Sequence, residues 1–86
     1  MISVRVTFVG LVARDHPDAD EFGRVERVAR VPEGSTVSEL TEKMAKEDPR
    51  LDLGCCLIVL NDEIINGDRR LRDGDAVSYF APIAGG

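Results

Sequence analysis

The chain has 86 residues, the size of one domain, with 43% hydrophobic and 31% charged residues. Its net charge of −5 works against a nucleic-acid backbone or an anionic membrane surface as partner and favours a protein with a basic face. No apolar run approaches the ~18 residues of a spanning helix, and Arg5 is followed by no signal-peptide pattern, so a cytoplasmic location is expected.

The stretch Ser3 to Val12 alternates Val4, Val6 and Phe8 with Arg5, Thr7 and Val9, which predicts a strand with one buried face. A connection follows with Asp15, Pro17, Asp18, Asp20 and Glu21, closed by Gly23. Arg24 to Val31 places Val25, Val28 and Val31 at intervals of three, a helical spacing taken alone. Its valine content and the flanking Gly23 and Pro32 favour a strand, antiparallel to the first. After the turn Pro32-Glu33-Gly34-Ser35, Thr36 and Glu39 fit a capping box. Val37, Leu40, Thr41, Met44 and Ala45 then form one face of an amphipathic helix that Asp48-Pro49 ends.

Leu57 to Leu60 reads as a short buried strand. Asn61-Asp62 is a turn, Glu63 to Ile65 a short strand, and Asn66-Gly67-Asp68 a further turn. Leu71 is an isolated apolar anchor, Asp73-Gly74-Asp75 a tight turn, and Ala76 to Phe80 the last strand. The order of strand, strand, helix, strand, short strand, strand is that of an α+β β-grasp (ubiquitin-like) domain. It predicts a mixed sheet of four to five strands, one main helix across one face, and the first and last strands side by side. Residues 1–80 form the domain in this reading, and residues 81–86 an extended, flexible C-terminal tail.

The tail is Ala81-Pro82-Ile83-Ala84-Gly85-Gly86. Pro82 cannot donate to a ladder and favours an extended backbone. Side chains shrink toward the tip, which suits insertion of a backbone into a narrow channel; fully extended, the six residues reach roughly 20 Å. The terminal carboxylate is a poor electrophile until it is converted to an activated acyl group that a sulfur nucleophile can attack. The alternative is the ragged end of a domain, since terminal residues are commonly loose.

Leu60-Asn61-Asp62-Glu63, Leu71 through Val77, Phe80 through Gly86, and Gly34-Ser35-Thr36-Val37 together resemble the MoaD/ThiS family of ubiquitin-like sulfur carriers. The resemblance spans the whole chain and is most specific in the last sixteen residues. It implies a β-grasp fold. It also implies ATP-dependent adenylation of Gly86 by a ubiquitin-activating-like adenylyltransferase (MoeB/ThiF type), then conversion to a thiocarboxylate. Gly85 would be the unhindered neighbour, and Phe80, Ala81, Pro82, Ile83 and Ala84 the stretch threaded into the partner. No bound cofactor is implied; ATP is used by the activating enzyme.

Within the family, the tail is most like that of the small-subunit branch of molybdopterin synthase, whose tails resemble Phe-Pro-Pro-Val-Ala-Gly-Gly. That branch pairs with a large subunit (MoaE type) and is not an enzyme by itself. Ala81, where the branch often has a first proline, and the Asp15 to Gly23 connection depart from its pattern. Carriers for thiazole, cysteine or tRNA thiolation, ubiquitin-like modifiers, and a plain β-grasp interaction domain are the alternatives.

Other chemistry-bearing residues read as structural. Adjacent Cys55 and Cys56 are poor disulfide partners, consistent with a reducing compartment. With one histidine and no second cysteine pair they do not form a zinc site; one reads as a core residue and the other as incidental. His16 reads as a solvated loop residue, and Asp15, Asp18, Asp20 and Glu21 lack calcium-loop spacing. Arg69, Arg70 and Arg72 read as solubilising. Phe8, Tyr79 and Phe80 are candidates for an exposed aromatic patch on the sheet face away from the helix, marking a protein interface.

Overall fold

The computed structural model describes residues 1–10, 16–51, 53–54 and 56–81. Five strands and one helix follow in the order β1 (Ile2–Gly10), β2 (Val25–Val31), α1 (Val37–Glu47), β3 (Leu57–Leu60), β4 (Glu63–Ile65) and β5 (Ala76–Ala81). They form one mixed sheet in the order β2-β1-β5-β3-β4. The first and last strands are parallel neighbours at its centre, paired from Arg5↔Ala76 to Gly10↔Ala81. This is the predicted β-grasp arrangement. β5 runs one residue past the predicted Phe80.

The pleat explains the layers. Val4, Val6, Phe8, Val77 and Tyr79 share one face and are almost wholly buried beneath Val37, Leu40 and Met44 of α1. In β2 the valine triplet resolves by strand parity: Val25 and Val31 face the core, while Val28 faces out and is 69% exposed. Thr36 Oγ1 accepts from the Glu39 N–H at 3.3 Å, and Glu39 Oε1 accepts from the Thr36 N–H at 3.0 Å, so the predicted capping box closes α1. Leu71 is buried, as its isolation between turns suggested.

Two turns fix the register of β5. Asn61 and Asp62 take φ of 49° and 69°, the left-handed pair that a two-residue hairpin between β3 and β4 requires. The Asn61 side chain then accepts from the Ala76 N–H and donates to Asp75 Oδ1, both at 2.9 Å. At the Asp73-Gly74-Asp75 turn, Asp73 Oδ1 accepts from the Ser3 N–H at 2.8 Å and Gly74 N–H donates to the Ser3 carbonyl at 2.8 Å. The start of β5 is thereby tied to both β1 and the β3–β4 hairpin.

Candidate functional site

Among the described residues, no element covers the face of the sheet opposite α1. Strand parity places Val9, Phe80 and Leu57 in one cross-strand row, and Thr7, Ser78, Val59 and Ile64 in the next. Val28 stands opposite Arg5 on the same face. Ile64 is 66% exposed, Leu57 46% and Phe80 38%. An apolar area of this kind over β5, β3 and β4 is the mark of a docking surface. Arg5 and Arg30 sit at the far end of the face, both exposed.

The predicted aromatic patch is corrected here. Phe8 and Tyr79 are fully buried on the helix side and stack with ring centroids 5.3 Å apart. Phe80, one residue along, points the other way. The alternation of Ala-Val-Ser-Tyr-Phe in β5 contained that answer, because adjacent strand residues cannot share a face. The exposed partners of Phe80 are aliphatic instead, and the sequence reading missed them. It took Leu57 to Leu60 as a buried strand, but Leu57 is exposed and Ile58, Val59 and Leu60 are only half-buried. With the helix covering one side of the sheet, an unbroken apolar run in β3 must leave apolar side chains on the other.

Phe80 leads directly to the root of the tail. Ala81 closes β5, buried and paired with Gly10. Pro82, Ile83, Ala84, Gly85 and Gly86 lie outside the described residues, as do Asp15 and Cys55. The open face and the strand that delivers the tail are therefore continuous through Phe80 and Ala81.

His16 is a second correction. It is buried, not solvated. Nδ1 accepts from the Asp18 N–H at 3.0 Å, which leaves the proton on Nε2, 2.5 Å from Asp48 Oδ2. The histidine bond, followed by that from Arg50, holds the Asp48 carboxyl at about 2, below its ordinary range. Asp18 pairs with Arg27 at 2.8 Å. Asp20 Oδ1 accepts from the Arg24 and Phe22 N–H groups, 2.9 Å each, and the Arg24 bond is the main cause of its lowered pKa. These acids order the connection into β2.

Cys56 is half-buried against the core, with Sγ 3.5 Å from the Leu53 carbonyl. Arg69, Arg70 and Arg72 are exposed. Their backbone secures the helix start: the Arg69 carbonyl accepts from the Val37 N–H at 2.9 Å, and Arg70 bridges Thr36. Among the described residues no cluster of three His, Cys, Asp or Glu side chains is placed to hold a metal ion. None of their helices is long and apolar enough to cross a membrane.

Element order, the central parallel pair and the single covering helix define a β-grasp domain with an open apolar face beside its C-terminal strand. The model of the ThiS family matches residues 18–86, and the chain belongs to that family. The molybdopterin synthase sulfur carrier subunit of Escherichia coli (strain K12) is 36% identical over 55 residues, covering 59% of this chain and 68% of that protein. A solved structure of a candidate molybdopterin converting factor subunit 1 from Pyrococcus furiosus superposes with a TM-score of 0.68 at 25% identity, covering 96% of this chain and 100% of that one. A complex of subunits 1 and 2 of the molybdopterin-converting factor from Helicobacter pylori 26695 gives a TM-score of 0.66 at 30% identity, covering 99% and 100%.

Proposed function

We propose that this protein is the sulfur-carrying small subunit of a molybdopterin synthase. The observation that carries the reading is a family match that reaches the final Gly85-Gly86 in a chain whose relatives are molybdopterin sulfur carriers. Gly86 is the reacting residue. A MoeB/ThiF-type enzyme uses ATP to convert its carboxylate to an acyl adenylate with release of pyrophosphate. Hydrosulfide then displaces AMP to give a C-terminal thiocarboxylate directly, whereas a persulfide donor gives an acyl disulfide that a thiol reduces to the same product. The chain supplies the carrier and the docking surface and is not catalytic alone. The dependence on ATP supports a cytoplasmic setting.

The partner assigned to the open face is the MoaE-type large subunit. Continuity supports this: the apolar rows end at Phe80, next to the root of the segment that must enter the partner's site. The Helicobacter relative, solved with its subunit 2, supports the same pairing.

Intact mass tests the chemistry. Incubation with the activating enzyme, ATP and a sulfur donor should add the mass of one oxygen replaced by sulfur. A chain lacking Gly86 should show no gain and retain its melting temperature. A wild-type chain that gains nothing while the same enzyme modifies another carrier would exclude the reading. A ladder of lysine conjugates in place of cofactor synthesis would replace it with a protein modifier.

A further inference from the structure

We infer that Gly10 is a positioning residue that seats the root of the tail and so controls how the terminal glycine is delivered. The inference rests on the sulfur-carrier reading above and deepens it.

Gly10 is the last residue of β1, with φ of +74°. A Cβ placed there would lie 2.3 Å from the Ala81 carbonyl oxygen and 3.2 Å from its carbonyl carbon. Both are backbone atoms of the final rung of the β1–β5 ladder, so no side-chain rotation relieves the contact. The other glycines of positive φ among the described residues, Gly23, Gly34, Gly67 and Gly74, would meet nothing within 4 Å. Gly10 thus serves a close approach as well as a backbone angle.

What it approaches matters. The pairing of β3 with β5 ends at Leu57↔Phe80, while that of β1 reaches Ala81. Among the described strand pairings, the Gly10 rung alone holds Ala81, and the Ala81 side chain is tucked into the core just before Pro82. A side chain at position 10 displaces the Ala81 carbonyl and opens this rung. The anchor then retreats to Phe80, the reach beyond the last rung grows by about 3.4 Å, and its starting direction is lost. The open face is untouched. Docking and delivery therefore separate: affinity belongs to the open face, and the rate of reaction at Gly86 depends on the Gly10–Ala81 seat.

The test compares Gly10→Ala with Gly34→Ala. The latter has similar backbone strain (φ +89°) in the loop after Val31, the β2 residue paired with Ile2 at the opposite end of β1. Three quantities are read: the Kd for the large subunit, the single-turnover rate of thiocarboxylate formation on the activating enzyme, and amide exchange at Ala81. For Gly10→Ala we expect a Kd within twofold of wild type, a rate lowered tenfold or more and faster exchange at Ala81. For Gly34→Ala we expect wild-type rate and exchange at Ala81.

An unchanged rate in Gly10→Ala despite faster exchange at Ala81 would overturn the inference. So would equal losses of rate and affinity in both variants, which mark general destabilisation. If Gly10→Ala does not fold, amide exchange in the wild-type chain decides: an Ala81 amide protected like that of Tyr79 supports the seat, and one that exchanges freely overturns it. Failure of the wild-type chain to accept sulfur would sink the carrier reading instead, and exchange at Ala81 would still decide whether Gly10 seats the strand.

Discussion

Tyr79 is the only tyrosine in the chain, and its hydroxyl meets Thr41 Oγ1 at 2.8 Å beneath the helix. Thr41 has one hydroxyl proton and directs it to the Val37 carbonyl at 2.8 Å. Tyr79 is therefore the donor and Thr41 the acceptor, and the two substitutions that break the bond are unequal. Tyr79→Phe removes the donor and leaves Thr41 bonded to Val37; a cost of about 1 kcal/mol is expected. Thr41→Val strands the phenol proton in the core, and a loss of about 2 kcal/mol is expected. Denaturant melts of the two variants check the order; an equal or reversed ranking would mean that the proton runs the other way. Burial also pushes the Tyr79 hydroxyl up to about 12, so the native phenol should ionise well above an unfolded tyrosine.

At the scale of elements, the proposed docking rests on the open apolar face. Ile64 and Leu57 lie on it, and Ile64 contributes little to the core. Ile64→Asp should weaken binding to the large subunit by roughly tenfold or more while shifting stability by no more than about 0.5 kcal/mol. Calorimetric titration and a thermal melt on the same sample check both halves. An unchanged affinity would move the docking site off this face. Element types were legible in the sequence because local signals agreed: the Thr36–Glu39 box, alternation in β1, and the Asn61-Asp62 turn. Faces were less legible. Phe8, Tyr79 and Phe80 look equivalent as residue types, and only the pleat and the position of α1 send two inward and one outward. Leu57 to Leu60 is as apolar as a buried strand, and its exposure follows from sheet order, which pairs residues distant in sequence.

The whole molecule is closed by a contact that no local pattern announces. His16, in the connection between β1 and β2, reaches Asp48 at the end of α1, thirty-two positions away. Arg27 of β2 comes within 4.0 Å of the same carboxylate, and Arg50 Nε donates to it at 3.0 Å. Among acids and a proline, His16 has the composition of a solvated loop, and only the packing of three elements buries it. The seat of Ala81 against Gly10 was not legible either, because that close approach is tertiary. The Asp48 cluster makes a prediction of its own. Its carboxyl titrates at about 2 in the folded chain and near 3.8 when unfolded, so the ionised form favours folding. That contribution is complete above about pH 5 and is lost as pH falls through about 2. Asp48→Asn removes the charge at every pH. The stability gap between wild type and Asp48→Asn should therefore narrow as pH falls from about 5 toward 2. Denaturant melts along that series measure it. A gap that stays level down to pH 2 would show that shape and hydrogen bonding, rather than the carboxylate charge, tie the connection to the helix.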